Sequence, residues 1–526
     1  MLVKKKALLT LSTILLLCGI VACSNNNSSE NNANQSSNQT SKKTSQDIVD
    51  DEDVVKNKTE ELEISGGKII GYYSDDNALR IYKGIPYAKA ERFKRPEETT
   101  WQGTKECVEW GASCLQTSEK PYGCYTAEFM GSSTIYSEDC LNLNIWTKND
   151  EAKNKAVLVY IHGGAYVAGN GSCKVYDGSG LARKDVVFVN INYRLGLFGF
   201  YANEDLIKED ASAAGNYGIL DQIQALKWVQ QNIEKFNGDK NNVTIVGQSA
   251  GGGSVNCLVQ SPLSKGLFKR ACALSANSVC NEQFSCILQD EKVEQFASVI
   301  QKRGIENRTL AQMRALSDTE FFKAYSKVWD INSAPIKPSI DGVTIVGKYS
   351  DVLSKGDAID VDYFIGTTTD DIGEKIQGIE ATEYLPGETC VAAYSHYLGN
   401  YKGKVYTYMF SHQMPGTAKT FGVFHSSDVP YFLNVFSKRR ADLWTNEDYK
   451  VGDQMSSYLA NFVKTGNPNG EGLVNWPANN PSKGNIDYSY MNLDIDCQMK
   501  SLKEESKTVV SNHYQGLINN MENNNP

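Results

Sequence analysis

The chain has 526 residues, enough for one large α/β domain with surface insertions or for two smaller domains. Hydrophobic residues make up 41% and aromatic residues 10%, a composition that can build a sizeable core but leaves no room for a multi-span membrane protein. The net charge is −9 and no long basic tract lies outside the N-terminus, so a polyanion would be repelled and nucleic acid is excluded as an expected partner.

Lys4, Lys5 and Lys6 precede an apolar run from Ala7 to Ala22. The run is short for a spanning helix and reads as an export signal over residues 1–22. It ends in Ile20, Val21, Ala22, Cys23, similar to the lipobox of bacterial lipoproteins, in which Cys23 would be acylated and become the mature N-terminus. A plain secretory signal with an incidental cysteine is the alternative. Residues 23–60 are Asn, Ser, Gln, Thr, Lys and acidic residues with little apolar content, so they read as a disordered polar tether. As a flexible coil such a tether would span about 30–35 Å. Residues 61–505 then form the folded domain and 506–526 a C-terminal tail.

Within the domain, β-branched apolar runs at Val157–Ile161, Val186–Asn192, Val243–Val246, Ala271–Leu274, Tyr363–Gly366 and Lys404–Phe410 predict buried strands. Between and after them, Leu220, Ile223, Leu226 and Val229 recur at helical spacing, as do Val451, Met455, Leu459, Phe462 and Val463. Strands alternating with helices predict an α/β fold whose mostly parallel central sheet is covered on both faces.

The first strand ends in His162, Gly163, Gly164, Ala165, similar to the HGGG-type oxyanion loop of lipases and esterases. The third ends in Gly247, Gln248, Ser249, Ala250, Gly251, a G-x-S-x-G match. Alone that pattern is weak, since composition would place it in roughly one chain in five of this length. Here a strand precedes it and a small-residue helix start follows, the order a nucleophile elbow requires. Ser249 is then the candidate nucleophile, with the backbone N–H groups of Gly163, Gly164 and Ala250 as candidate oxyanion donors. His162 more plausibly shapes its loop than acts as a base.

These stretches, with Tyr136–Trp146, Asn192–Phe200, Asn216–Ala250 and Gly466–Pro477, make the chain resemble the type B carboxylesterases, the family of cholinesterases and bacterial para-nitrobenzyl esterases, from about Ile64 to about Ser501. The resemblance implies an α/β-hydrolase fold and a serine esterase that needs no cofactor. It places the general base at His425, in the G-x-x-H stretch from Gly422, and the acid in the loop after Gly366, at Asp371 with Asp370 as the alternative. Asp replaces the commoner Glu there, Ile372 stands where Gly is usual, and Gln248 replaces a common Glu beside the nucleophile, which makes cationic choline esters poorer candidates. The resemblance also implies a Cys114–Cys140 disulfide at the cleft mouth, worth about 3 kcal/mol in the chain-entropy model. Tyr122, Tyr125, Phe129 and Tyr166 either line the cleft or pack beside it.

Of thirteen cysteines, Cys18 leaves with the signal and Cys23 goes to lipid, so 13 − 2 = 11 remain and at least one has no cysteine partner. Cys280 with Cys286 is a further pairing to consider. No C-x-x-C pair or Cys/His cluster has metal-ligand spacing, so neither metal nor cofactor is expected. The competing functions are a non-catalytic surface binding protein on a hydrolase scaffold, and lipase or peptidase activity on the same triad. Oligomeric state and natural ester are not legible in the sequence.

Overall fold

The computed structural model describes residues 57–504 apart from 118–120, 122, 277–285, 330–333, 372–390, 392–400, 418–420 and 480–487, together with 507, 508 and 512. The chain divides into two compact units, Met1–Glu52 and Asp53–Pro526, and every described residue belongs to the second. The export signal, Cys23 and most of the tail therefore lie outside the described residues. The tether was expected to run to residue 60, but its end is already tied down: Lys58 bridges Tyr72, and the Thr59 amide donates to the Gly71 carbonyl at 2.9 Å.

Eleven strands form one sheet: β1 (Tyr72–Tyr73), β2 (Leu79–Pro86), β3 (Asn142–Lys148), β4 (Lys155–Ile161), β5 (Val186–Ile191), β6 (Gly238–Gln248), β7 (Arg270–Leu274), β8 (Asp362–Thr368), β9 (Val405–Phe410), β10 (Ser489–Leu493) and β11 (Gln498–Ser501). Their spatial order is β11-β10-β9-β8-β7-β6-β4-β5-β3-β2-β1. From β5 to β10 every neighbouring pair is parallel, whereas β1, β2, β3 and β11 join antiparallel at the two edges. The six strands expected from the sequence are β4 to β9, five of them within two residues of their predicted bounds, whereas β6 begins five residues before the predicted Val243.

Strand alternation explains why those six read as continuous apolar runs. In β4, Val157, Val159 and Ile161 enter one core cluster while Ala156, Leu158 and Tyr160 enter the other, so both faces of the sheet are dry. Helix α1 (Tyr217–Asn232) contributes Ile219, Leu220, Ile223 and Leu226 to the first cluster. Helix α3 (Asn446–Thr465) contributes Val451, Met455 and Leu459 to the second. Between them in sequence, α2 (Ala250–Gln260) follows β6 directly and is buried along its length. A buried ion pair ties two of the motif stretches together, Arg194 binding Asp221 through Nε at 2.8 Å and Nη2 at 2.7 Å, and Arg92 binds the half-buried Glu138 of a third.

Candidate active site

The central strands point their carboxyl ends at one region, the edge of a parallel sheet where catalytic groups gather. Gly247 in β6 pairs with Ile161 in β4 and with Ala273 in β7, so the residue two positions on emerges between the ends of both neighbours. That residue is Ser249. Its backbone has φ 58° and ψ −126°, a conformation that costs a non-glycine residue roughly 1–3 kcal/mol. The chain turns there because the strand and α2 must pack almost in contact. A Cβ at Gly247 would collide with the Gly251 carbonyl, and one at Gly251 with the Ile161 carbonyl. The serine amide donates to the Leu274 carbonyl at 2.9 Å, which fixes the turn against β7.

The loop after β4 lies against this turn. A Cβ at Gly163 would stand 3.0 Å from the Cβ of Ser249 and 2.8 Å from the Gln248 carbonyl, so only glycine lets the loop approach. Ala165 and Tyr166 both adopt positive φ, 54° and 62°, held there by several hydrogen bonds. The Gly196 amide donates to the Tyr166 carbonyl at 2.7 Å, the Gly169 amide to Gln116 Oε1 at 2.7 Å, and the Tyr193 hydroxyl to the His162 carbonyl at 3.0 Å. His162 stacks on Tyr193 and its Nδ1 lies 2.8 Å from the Gly163 carbonyl. Burial pushes its pKa down to about 4, so the ring is a neutral brace. Among the described residues, none of the amides of Gly163, Gly164 and Ala250 is taken up by a protein acceptor. That leaves three donors beside the N-terminus of an eleven-residue helix, an arrangement suited to a developing negative charge.

His425 follows β9 and Asp371 follows β8, so the adjacent parallel strands bring them together across 54 positions of sequence. Nδ1 of His425 lies 2.5 Å from Asp371 Oδ1. The other carboxylate oxygen of Asp371 accepts from the hydroxyls of Thr367, at 2.7 Å, and Thr368, at 3.2 Å. Burial would raise the pKa of Asp371, but the charge and hydrogen bond of His425 outweigh it and hold the carboxylate below its ordinary value. For His425 burial favours the neutral ring, yet the facing carboxylate raises the pKa above 6.5. Asp370, the alternative acid, does something else: its Oδ2 accepts from the Val423 amide at 2.8 Å and so clamps the loop that carries His425. Ile372 lies outside the described residues.

Two features of the site were not read from the sequence. Nε2 of His425 lies 3.2 Å from the Gln248 side-chain amide, and among the described residues no hydrogen bond joins the ring to the Ser249 hydroxyl. With the Nδ1 proton facing Asp371, the Nε2 lone pair is the one a base would use, and Gln248 holds it. Asp428 is the second. It is fully buried, accepts from the Tyr408 hydroxyl at 2.8 Å, and is pushed up to about 6 by burial, while its charge adds to the field that raises His425. Its only sequence signal was its place three residues after the histidine.

Cys114 and Cys140, the pair expected as a disulfide, are both buried thiols in this structure. The hydrogen bond between them and burial together raise the Cys140 pKa well above the ordinary range. Tyr125 and Phe129 pack edge-on against Phe424, the residue before His425, so they support the histidine loop. Tyr166 is buried against Phe200. Tyr122 and Cys280 lie outside the described residues.

A parallel sheet with a strained serine turn, a glycine loop of vacant amides and a His–Asp pair at its carboxyl edge is the arrangement of an α/β-hydrolase. The match to the carboxylesterase family model covers residues 58–385 and 381–510, and the chain belongs to that family. It is similar to the para-nitrobenzyl esterase of Bacillus subtilis (strain 168), 31% identical over 468 residues, covering 78% of this chain and 91% of that protein. It is also similar to a medium-chain fatty acyl-CoA hydrolase precursor of Anas platyrhynchos, 30% identical over 533 residues, covering 85% and 91%. A solved structure of a PNB esterase superposes with a TM-score of 0.71 at 27% identity, covering 86% of this chain and 99% of that one. The protein is accordingly an ester hydrolase, acting on small-molecule carboxylic esters.

Proposed function

We propose that Ser249 is the nucleophile of a two-step acyl transfer, with His425 as general base, Asp371 as its orienting carboxylate, and the amides of Gly163, Gly164 and Ala250 as the oxyanion hole. The observation that carries this reading is the 2.5 Å contact between His425 and Asp371 at the carboxyl edge of the sheet that presents Ser249. Asp371 keeps the Nδ1 proton in place, so Nε2 is free to exchange its Gln248 partner for the serine hydroxyl. The hydroxyl loses its proton to Nε2, its oxygen attacks the ester carbonyl, and the tetrahedral oxygen gains the three amides. The imidazolium then gives its proton to the leaving alcohol, and water repeats the sequence to release the acid. Replacing Ser249 by Ala should lower kcat on a short para-nitrophenyl ester by ~10⁶-fold with the fold intact. Undiminished turnover would remove Ser249 from the mechanism.

The enzyme works outside the cytoplasmic membrane, held by lipid on Cys23 through the polar tether that precedes Lys58. Lys4 to Lys6, the apolar run to Ala22 and the cysteine after it support this. Export would also expose Cys114 and Cys140 to an oxidising compartment, in which two touching thiols can join. Growth with an alkynyl fatty acid should label the wild-type protein and leave Cys23→Ala unlabelled. Equal labelling of both would reject the anchor.

A further inference from the structure

The thiols of Cys257 and Cys286 lie 3.4 Å apart, sulfur to sulfur, although 29 positions separate them in sequence. Cys257 sits on α2, two turns beyond Ser249, and is almost wholly buried, whereas Cys286 is half-buried. Cys286 leads into the short strand Ile287–Leu288, which pairs in parallel with Ser339–Ile340. The contact therefore joins the nucleophile helix to a small ribbon outside the main sheet. Beside both sulfurs stands Tyr166, whose pKa burial raises and the two cysteines raise further. Its hydroxyl fills the space a Cβ at Gly253 would need. The same tyrosine follows the oxyanion glycines, so the sulfur pair backs the wall on which that loop rests.

We infer that Cys257 and Cys286 are a disulfide-forming site, which takes a small-molecule or protein disulfide as its oxidant. The more exposed Cys286, as thiolate, attacks one sulfur of the oxidant RS–SR; a mixed disulfide forms and one RS⁻ leaves. Cys257 then gives up its proton, its sulfur attacks the Cys286 sulfur, and the second RS⁻ departs. Two protein thiols are oxidised by two electrons, one disulfide is reduced to two RSH, and the protons balance. The product staples α2 to the ribbon without touching Ser249, His425 or Asp371. The bond restrains the unfolded chain and stiffens the support of the oxyanion loop, and it changes turnover little.

The test is to incubate the full chain with oxidised glutathione, block remaining thiols with iodoacetamide, digest without reduction and map cross-linked peptides by mass spectrometry. The expected result is a cross-link between the peptides that carry Cys257 and Cys286, present in Cys280→Ser and lost in Cys286→Ser. The difference in Tm between oxidised and reduced protein should be about 3–6 °C smaller in Cys286→Ser than in the wild type. Full alkylation of Cys257 after oxidation would overturn the assignment. So would a cross-link that survives Cys286→Ser and vanishes in Cys280→Ser. Because the readout is a peptide mass, it stands whether or not Ser249 proves to be the nucleophile.

Discussion

Among the described residues, two histidines face carboxylates, and they differ in what they leave open. His412 commits both ring nitrogens to acids, Nε2 to Asp448 at 2.9 Å and Nδ1 to Asp494 at 3.3 Å, and Asp448 also accepts from the Tyr431 hydroxyl at 2.6 Å. Burial disfavours its charge, yet the two carboxylates raise its pKa to about 9. At neutral pH His412 is a cation locked in place, with no lone pair to offer. His425 commits only Nδ1 to an acid, and Nε2 meets a neutral amide that can be exchanged. A His–Asp contact is therefore not a catalytic signal by itself; the unspent nitrogen, and what stands beside it, make the difference.

Replacing the carboxylate that orients His425 gives the largest effect in this comparison. Asp371→Asn should lower kcat by ~10⁴-fold, because the amide can present an N–H to Nδ1 and favour the wrong tautomer. Asp370→Asn keeps an oxygen for the Val423 amide and should cost less than about tenfold. Equal losses from the two, measured on one ester, would mean that Asp371 has no special role. The acid limb of the pH–rate profile belongs to the same test. The base must be neutral and its pKa is raised, so activity should fall with a midpoint above 6.5. A midpoint below that value would contradict the pairing.

The locked histidine should report on stability instead. Its folded pKa lies above the unfolded one, so its contribution is fully present below about 6.5 and is lost as pH rises through about 9. Denaturant titrations of the wild type should show on the order of 2–3 kcal/mol lost across that window. His412→Asn should flatten that dependence and leave the pH–rate profile unmoved. A shifted rate profile in that variant would tie His412 to the chemistry.

Gln248 gives the smallest effect. Its amide must leave Nε2 before the serine proton can arrive, at a cost of about 1 kcal/mol, so Gln248→Ala should change kcat/KM by no more than about fivefold. Gln248→Glu would place a carboxylate beside the ring and move the acid limb to higher pH. Unchanged limbs in both variants would show that the contact is idle during turnover.

The sequence disclosed the parts of the molecule that local chemistry dictates. β4 to β9 were legible because both faces are buried, and the serine turn because strand, turn and helix are contiguous. β3 escaped the apolar pattern because Asn142, Asn144 and Thr147 are buried within it and satisfied by distant partners, such as Asn190 Oδ1, 2.7 Å from Asn144. β11 escaped because its edge residues are mostly exposed. Asp370 and Asp371 are neighbours of the same type, and only the direction each takes from the end of β8 separates them. The Gln248–His425 contact spans 177 positions and has no local signature. The resemblance located His425, but not the glutamine that holds it.

The central claim is that His425 activates Ser249. A fluorophosphonate probe tests it directly, because it is attacked only by an activated serine, and peptide mapping identifies the adduct. The account predicts one adduct, on Ser249, with a labelling rate that falls at acid pH along the same limb as ester hydrolysis and drops by orders of magnitude in His425→Gln. An adduct on another serine, or labelling of Ser249 that His425→Gln leaves unchanged, would contradict it.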